Sequence, residues 1–210
     1  IIVRFLALAL VPLLLAGPAA LAAEGFHAAY LSGFPDGSVR PLAAASREQT
    51  AQMLYGLLSP EARETVCTAE TAFSDVPPGR WSYRAVSAMC ELGVMPGRGD
   101  GSWRPEAALT GRMLSAVLHR LMGLRQAQAA FSPMREQLFV VPDGPVSRAA
   151  LVSVLNRLFD RGPTSAFPDG APDFRDNRDP STWYYADVRE AAAGHTYAKT
   201  DGAEVWTGLG

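Results

Sequence analysis

The sequence is almost without lysine. Lys199 stands alone among 19 basic residues, and these meet 21 acids for a net charge of −2. There is no positive surplus to argue for nucleic acid as a partner. The bias towards arginine looks like GC-rich coding, so no arginine is read as functional for its residue type alone. Histidine is scarce too, with three isolated residues, His27, His119 and His195. Neither H-E-x-x-H nor G-x-S-x-G occurs, which removes two familiar hydrolase signatures. Two cysteines are too few for a disulfide scaffold or an all-cysteine metal site. Sixteen prolines and nineteen glycines exclude a long coiled coil. On these grounds no metal, no cofactor and no catalytic residue is expected.

What is present suits a packed globular chain. Its 210 residues are 48% hydrophobic and 19% charged, enough for one or two domains. Residues 1–23 read as a secretory signal peptide: Arg4 supplies a charge, Phe5–Leu15 an apolar stretch, and Ala20-Leu21-Ala22 the small-residue pattern before cleavage, after Ala22 or Ala23. The alternative is a membrane anchor, disfavoured by Pro12 and by a run shorter than the ~20 residues of a span. The expectation is a secreted chain with no membrane contact after cleavage.

Internal similarity carries most of the information. Gly33-Phe-Pro-Asp-Gly-Ser-Val-Arg-Pro41 and Gly97-Arg-Gly-Asp-Gly-Ser-Trp-Arg-Pro105 share Gly, Asp, Gly, Ser, Arg and Pro in frame. Five residues after each Pro comes a hydroxyl, Ser46 or Thr110. A third copy keeps Pro142 and Ser147 but lacks the Asp-Gly turn in frame. Behind each hydroxyl the apolar residues align: Met53, Leu54, Leu57 and Leu58; Val117, Leu118, Leu121 and Met122; Val154, Leu155, Leu158 and Phe159. That spacing makes one stripe on an α-helix, and the hydroxyls are natural N-caps. A second kind of helix follows Phe73-Ser-Asp75, from Trp81, and again Phe174-Arg-Asp176, from Trp183. Units of this size cannot bury their apolar faces alone and must pack on one another. Gln126–Ala130 reads as a linker between the second and third units.

These motifs resemble the S-layer homology family, whose repeat opens with F-x-D and a tryptophan-bearing helix. It continues through G-x-x-D-G and Pro to an I-T-R-A-E-like start of a second helix. Phe73–Met122 matches most of one repeat. His27–Gly37 resembles an opening segment, and Trp183–Tyr185, Gly194–Tyr197 and Val205–Gly208 a closing one. The departures fall at the helix starts: Ser46-Arg47-Glu48-Gln49, Thr110-Gly111-Arg112-Met113 and Ser147-Arg148-Ala149-Ala150. The resemblance implies a mainly α fold, a pseudo-threefold bundle of three helix–loop–helix repeats with short extended segments. Repeat 1 would span residues 24–62, repeat 2 residues 68–125, and a degenerate repeat 3 with a closing C-terminal helix residues 131–210. It further implies a non-catalytic surface module anchored to secondary cell-wall polymer, an acidic glycan, or to peptidoglycan-associated glycan, with other surface-layer proteins as further neighbours. The location would be the cell wall or S-layer.

The residues expected at such a site are Asp36, Ser46, Arg47, Glu48, Ser147, Arg148, Trp81 and Trp183, with Thr110 and Arg112 behind them. Guanidinium presents a planar donor fork to carboxylate or phosphate, and a helix start adds unpaired amides. Glu48 would orient a guanidinium or accept a sugar hydroxyl. Arg112 falls one place late, a turn of about 100° that aims it away from the groove. Several alternatives stand beside these readings. Trp81 and Trp183 each begin an apolar stripe and read first as core. Arg98-Gly99-Asp100 spells an adhesion tripeptide but lies inside the repeat frame. Asp169–Asp179 is acid-rich without the spacing of a calcium loop. Cys67 and Cys90 would close a loop of about two dozen residues in an oxidising compartment, worth roughly 3 kcal/mol, or remain two buried thiols. The chief functional alternative is a secreted wall-modifying enzyme or accessory factor. A self-assembling surface protein is a further one.

Overall fold

The computed structural model describes residues 23–66, 73–123, 131, 143–162, 166–200 and 203–210. Residues 1–22 of the expected signal peptide, Cys67, the expected linker 126–130 and the expected upstream half of the third unit lie outside the described residues. Six helices appear among those described: α1 (Arg47–Gly56), α2 (Pro60–Thr65), α3 (Tyr83–Glu91), α4 (Gly111–Gly123), α5 (Arg148–Leu158) and α6 (Tyr185–Ala192). Three strands accompany them, β1 (Ala23–His27), β2 (His195–Thr200) and β3 (Ala203–Leu209). None of these helices is long and apolar enough to cross a membrane.

The hydroxyl caps start three of the helices. Ser46 Oγ accepts from the Gln49 amide while the Gln49 side chain accepts from the Ser46 amide, a reciprocal box that satisfies two otherwise unpaired donors. Thr110 Oγ1 accepts from the Met113 amide and Ser147 Oγ from the Ala150 amide. The helical stripes behind the caps form the core. Of the twelve aligned apolar residues only Met122 and Val154 are not buried.

The three segments before the caps meet in a closed ring of backbone bonds. The Ala45 amide donates to Val146 O at 2.9 Å, Val146 to Leu109 O at 2.8 Å, and Leu109 back to Ala45 O at 2.7 Å. One residue into each helix the exchange repeats: Arg47 donates to Ala107 O, Gly111 to Gly144 O and Arg148 to Ala43 O. Each unit thus satisfies its neighbour's buried amides, which would be costly to leave unpaired. The ring is shut at its outer side by α6, whose Ala191 carbonyl accepts from the Tyr30 and Leu31 amides.

A mainly α chain is only part of what is found. β1, β2 and β3 form an antiparallel sheet in that order. The sheet packs Trp206, Ala171 and Ala193 into a small second core with Phe167 against it. The architecture is therefore mixed. The period-2 burial of β3, alternating exposed and buried, is the local mark of a half-buried strand.

Candidate functional site

The Asp-Gly turns are held by the F-x-D motifs. Asp75 accepts the Trp103 and Arg104 amides at 2.9 and 2.7 Å, and Asp176 accepts those of Val39 and Arg40 at 2.8 Å each. This grip supports two unusual residues, since Arg104 and Arg40 have φ of 57° and 51°, in the left-handed region. A Cβ at Gly97 or Gly33 would collide with the ring of Phe73 or Phe174, so each motif's Phe seats on the opening glycine of its turn. Asp176 lies inside the acid-rich loop, whose described part is thus partly a clamp on the first unit rather than wholly solvated.

Onto each turn a neighbouring helix lays its first arginine. Arg47 Nε donates to Trp103 O at 2.9 Å and Nη2 to Pro96 O at 3.3 Å, with the guanidinium carbon 4.3 Å from the Trp103 ring centroid. Arg148 repeats this on the other turn, donating to Val39 O at 2.8 Å and Ser32 O at 3.0 Å beside Phe34. Trp103 itself is fully buried and donates its indole N–H to Met95 O. Burial of this kind makes both arginines structural locks before they are anything else.

What surrounds the locks differs. Arg47 is half-buried and lines a cleft of about 300 Å³ with Arg98, Arg112 and Arg120. No carboxylate lines that cleft. Burial first, then repulsion from Arg98, outweighs the attraction of Asp75 and holds the Arg47 guanidinium below its ordinary pKa. Arg112, expected to aim away, instead stands in the cleft of Arg47. It aligns with Glu48, not Arg47, and so serves the groove on the other side of its helix. The second cleft, of about 350 Å³, contains Arg148 as its one charged residue, with Phe34, Gln49, Gln52 and Trp81. Burial, then the neighbouring Arg40, lowers the Arg148 pKa to about 10.

The other expected site residues take different places. Glu48 is buried; it accepts from Arg80 Nε and Nη2 at 2.7 and 2.9 Å and from Ser82 Oγ at 2.7 Å. It orients Arg80, not Arg47, and presents no oxygen to a sugar. Asp36 is exposed within its turn, where the Ser38 hydroxyl and amide, against a small burial effect and with help from Arg40 and Arg175, hold its pKa at about 2. Ser46, Thr110 and Ser147 act as caps. Trp81 and Trp183 are 60% and 61% exposed, not core. Each falls two residues before its helix begins, in the preceding turn, so the helical stripe never reaches it. Arg98-Gly99-Asp100 is the exposed tip of the second turn. Cys90 is half-buried near the end of α3, and its pairing with Cys67 lies outside the described residues. His27 and His195 are not isolated: they are register partners on β1 and β2, with ring centroids 5.3 Å apart.

Three capped helix starts are thus joined by backbone bonds, and two of them lay an arginine on a neighbouring turn. Residues 72–111 match the S-layer homology domain. The chain is also 25% identical over 218 residues to Cell surface glycoprotein 1 of Acetivibrio thermocellus, an alignment covering 88% of this chain and 9% of that protein. It is 21% identical over 200 residues to the Cellulosome-anchoring protein of the same organism, covering 82% and 44%. Against an S-layer protein of Bacillus licheniformis it is 25% identical over 129 residues, covering 50% and 14%. The chain thus spans less than half the length of each of these relatives.

Proposed function

We propose that this chain is a non-catalytic cell-surface module that holds an acidic wall polymer noncovalently, with the three capped units acting as one pseudo-threefold body. The observation that carries the reading is the cleft of four arginines without a carboxylate, on a chain whose net charge is −2. A local positive site on a mildly acidic protein suits an anionic ligand and not general adhesion to polyanions. Arg47 is fixed by the two carbonyls it serves, so it meets a carboxylate or phosphate without first losing side-chain freedom. Arg98 and Arg112 line the cleft as exposed residues and Arg120 as a half-buried one. The second cleft, with Trp81 at its edge, suits the apolar face of a sugar ring. Two weak clefts on one polymer chain gain strength together. Secretion and residence in the wall follow from the same reading, as do the names of the relatives.

The test is cosedimentation of the purified chain with walls, before and after chemical removal of secondary polymer. Retention on intact walls, loss on stripped walls and weakening with added salt are expected. Equal binding to stripped peptidoglycan would remove the polymer as ligand. Release of sugar or peptide fragments during incubation would favour a wall-modifying enzyme instead.

A further inference from the structure

The three-stranded sheet holds a cluster that wall binding does not use. His27 on β1, His195 on β2, Glu204 on β3 and Glu190 on α6 each turn one ligand atom inward, and these four atoms lie within 4.8 Å of one another. Nitrogen and oxygen alternate around the cluster. His27 Nδ1 to Glu190 Oε1 is 3.3 Å, Glu190 Oε1 to His195 Nε2 is 3.3 Å, His195 Nε2 to Glu204 Oε1 is 3.2 Å, and Glu204 Oε1 to His27 Nδ1 is 3.5 Å. Two bonds of about 2.0–2.1 Å meeting at a tetrahedral angle span about 3.3 Å. The four N–O separations match neighbouring atoms of such a shell, and the N–N and O–O pairs lie within 4.8 Å. The His27 side chain is 12% exposed and the other three are fully buried.

Outer contacts aim the four atoms. The Trp206 indole N–H donates to Glu190 Oε2 at 2.9 Å, and the Gly162 amide donates to Glu204 Oε2 at 3.1 Å. Each carboxylate therefore has its second oxygen occupied and its first turned towards the imidazoles. His195 Nδ1 lies 3.1 Å from Ala193 O. A carbonyl only accepts, so that nitrogen carries the hydrogen, and an ion displacing the Nε2 proton would meet a lone pair there. Backing of this kind is how proteins orient metal-binding histidines. Trp206 stacks on the same ring at 3.9 Å and fixes its plane. Arg161 Nε, 3.1 Å from Glu190 Oε1, offsets one of the two carboxylates. Lys199 Nζ lies 3.9 Å from Glu204 Oε2 but is held more closely by Asp160, at 2.9 Å.

We propose that His27, Glu190, His195 and Glu204 form a closed structural zinc site, against the expectation of no metal. Two imidazoles with two carboxylates suit zinc, whereas calcium and magnesium favour all-oxygen shells. Four protein ligands leave no open position, so the ion holds structure and performs no chemistry. It joins the first described strand to the last two and to α6. His27 borders a cavity of about 610 Å³ that provides the access route.

The experiment uses the full chain, stripped with a chelator and titrated with Co2+ and then Zn2+. One equivalent of Co2+ should give the intense visible absorption of a tetrahedral complex, and Zn2+ should displace it and raise the unfolding midpoint by several degrees. His195→Gln and Glu204→Gln should lose both signals, while His119→Gln, exposed on α4, should keep them. If the variants do not fold, the unmodified chain decides alone through its spectrum and metal content. Absence of the absorption together with an unmoved midpoint would overturn the site, leaving an ionic network in which His195 is the imidazolium. Undiminished metal binding by both variants would overturn it as well, by placing the ion elsewhere.

Discussion

The two arginine clefts share a backbone and differ in their walls. Arg47 and Arg148 occupy matching first-turn positions and donate to matching carbonyls, Trp103 O and Pro96 O in one cleft, Val39 O and Ser32 O in the other. Around that common lock, Arg98 stands where the other cleft has Phe34, Arg112 matches the buried Glu48, and Arg120 matches Gly56. Three substitutions on one scaffold turn an aromatic, amide-lined hollow into an electropositive one. The lock belongs to the fold, and the walls set the charge of each cleft. An arginine at a helix start is therefore not evidence of anion binding until its neighbours are known.

This separation can be broken by removing the locks. Arg148→Ala leaves two carbonyls without their charged donor in a buried setting and should cost about 3 kcal/mol of stability, read from chemical unfolding. Arg47→Ala, half-buried and more open to water, should cost less, about 1–2 kcal/mol, but should weaken wall binding tenfold or more. The binding comparison requires conditions in which both variants are fully folded. Equal stability losses with equal binding losses would show that the two clefts do not divide the work.

Smaller effects sharpen the contrast. Arg112→Ala and Arg98→Ala touch exposed residues and should stay within about 0.5 kcal/mol of the parent stability. Each should still lower wall affinity several-fold and flatten its salt dependence. Trp81→Ala should likewise leave stability within about 0.5 kcal/mol and reduce binding only where the polymer reaches the second cleft. A quenching titration of Trp81 fluorescence by wall fragments gives an independent reading.

The smallest effect concerns acid. Asp36 has a folded pKa of about 2 against an ordinary 3.8. A carboxylate with a depressed folded value contributes stability above its unfolded pKa and loses it as pH falls through the folded one. Its turn should therefore be at full strength above pH 3.8 and weaken progressively towards about 2. Unfolding midpoints of the parent and of Asp36→Asn should converge across that window.

The caps, the stripes and the repeat frame were legible in the sequence because each depends on neighbours within a turn or two of helix. The Gly33 and Gly97 motifs led directly to paired turns, whereas the clamp that Phe174 and Asp176 place on the first unit emerged only from the structure. What was not legible depended on distance or on helix boundaries. Trp81 and Trp183 were read as core because the stripe was extended two residues too far, whereas Trp103, the buried indole, sits in a turn where no periodicity marks it. Glu48 finds Arg80 rather than Arg47, since one residue along a helix points to another neighbour. The sheet was overlooked although β3 alternates, because β1 and β2 are brought together only by the closed ring. The pairing of His27 with His195 is hidden for the same reason.

The strand arrangement has a mechanical consequence. β1 and β3 run in the same direction on opposite edges of β2, with Ala23 opposite Lys199 and Leu209 opposite His195. Ala23 and Leu209 therefore lie at opposite ends of the sheet. Tension applied through the flanks of these two strands acts along the strand axis, at right angles to the bonds between strands. Such a pull shears many hydrogen bonds at once and cannot open them one after another like a zip. A protein tethered under flow would meet load in the geometry that best resists it.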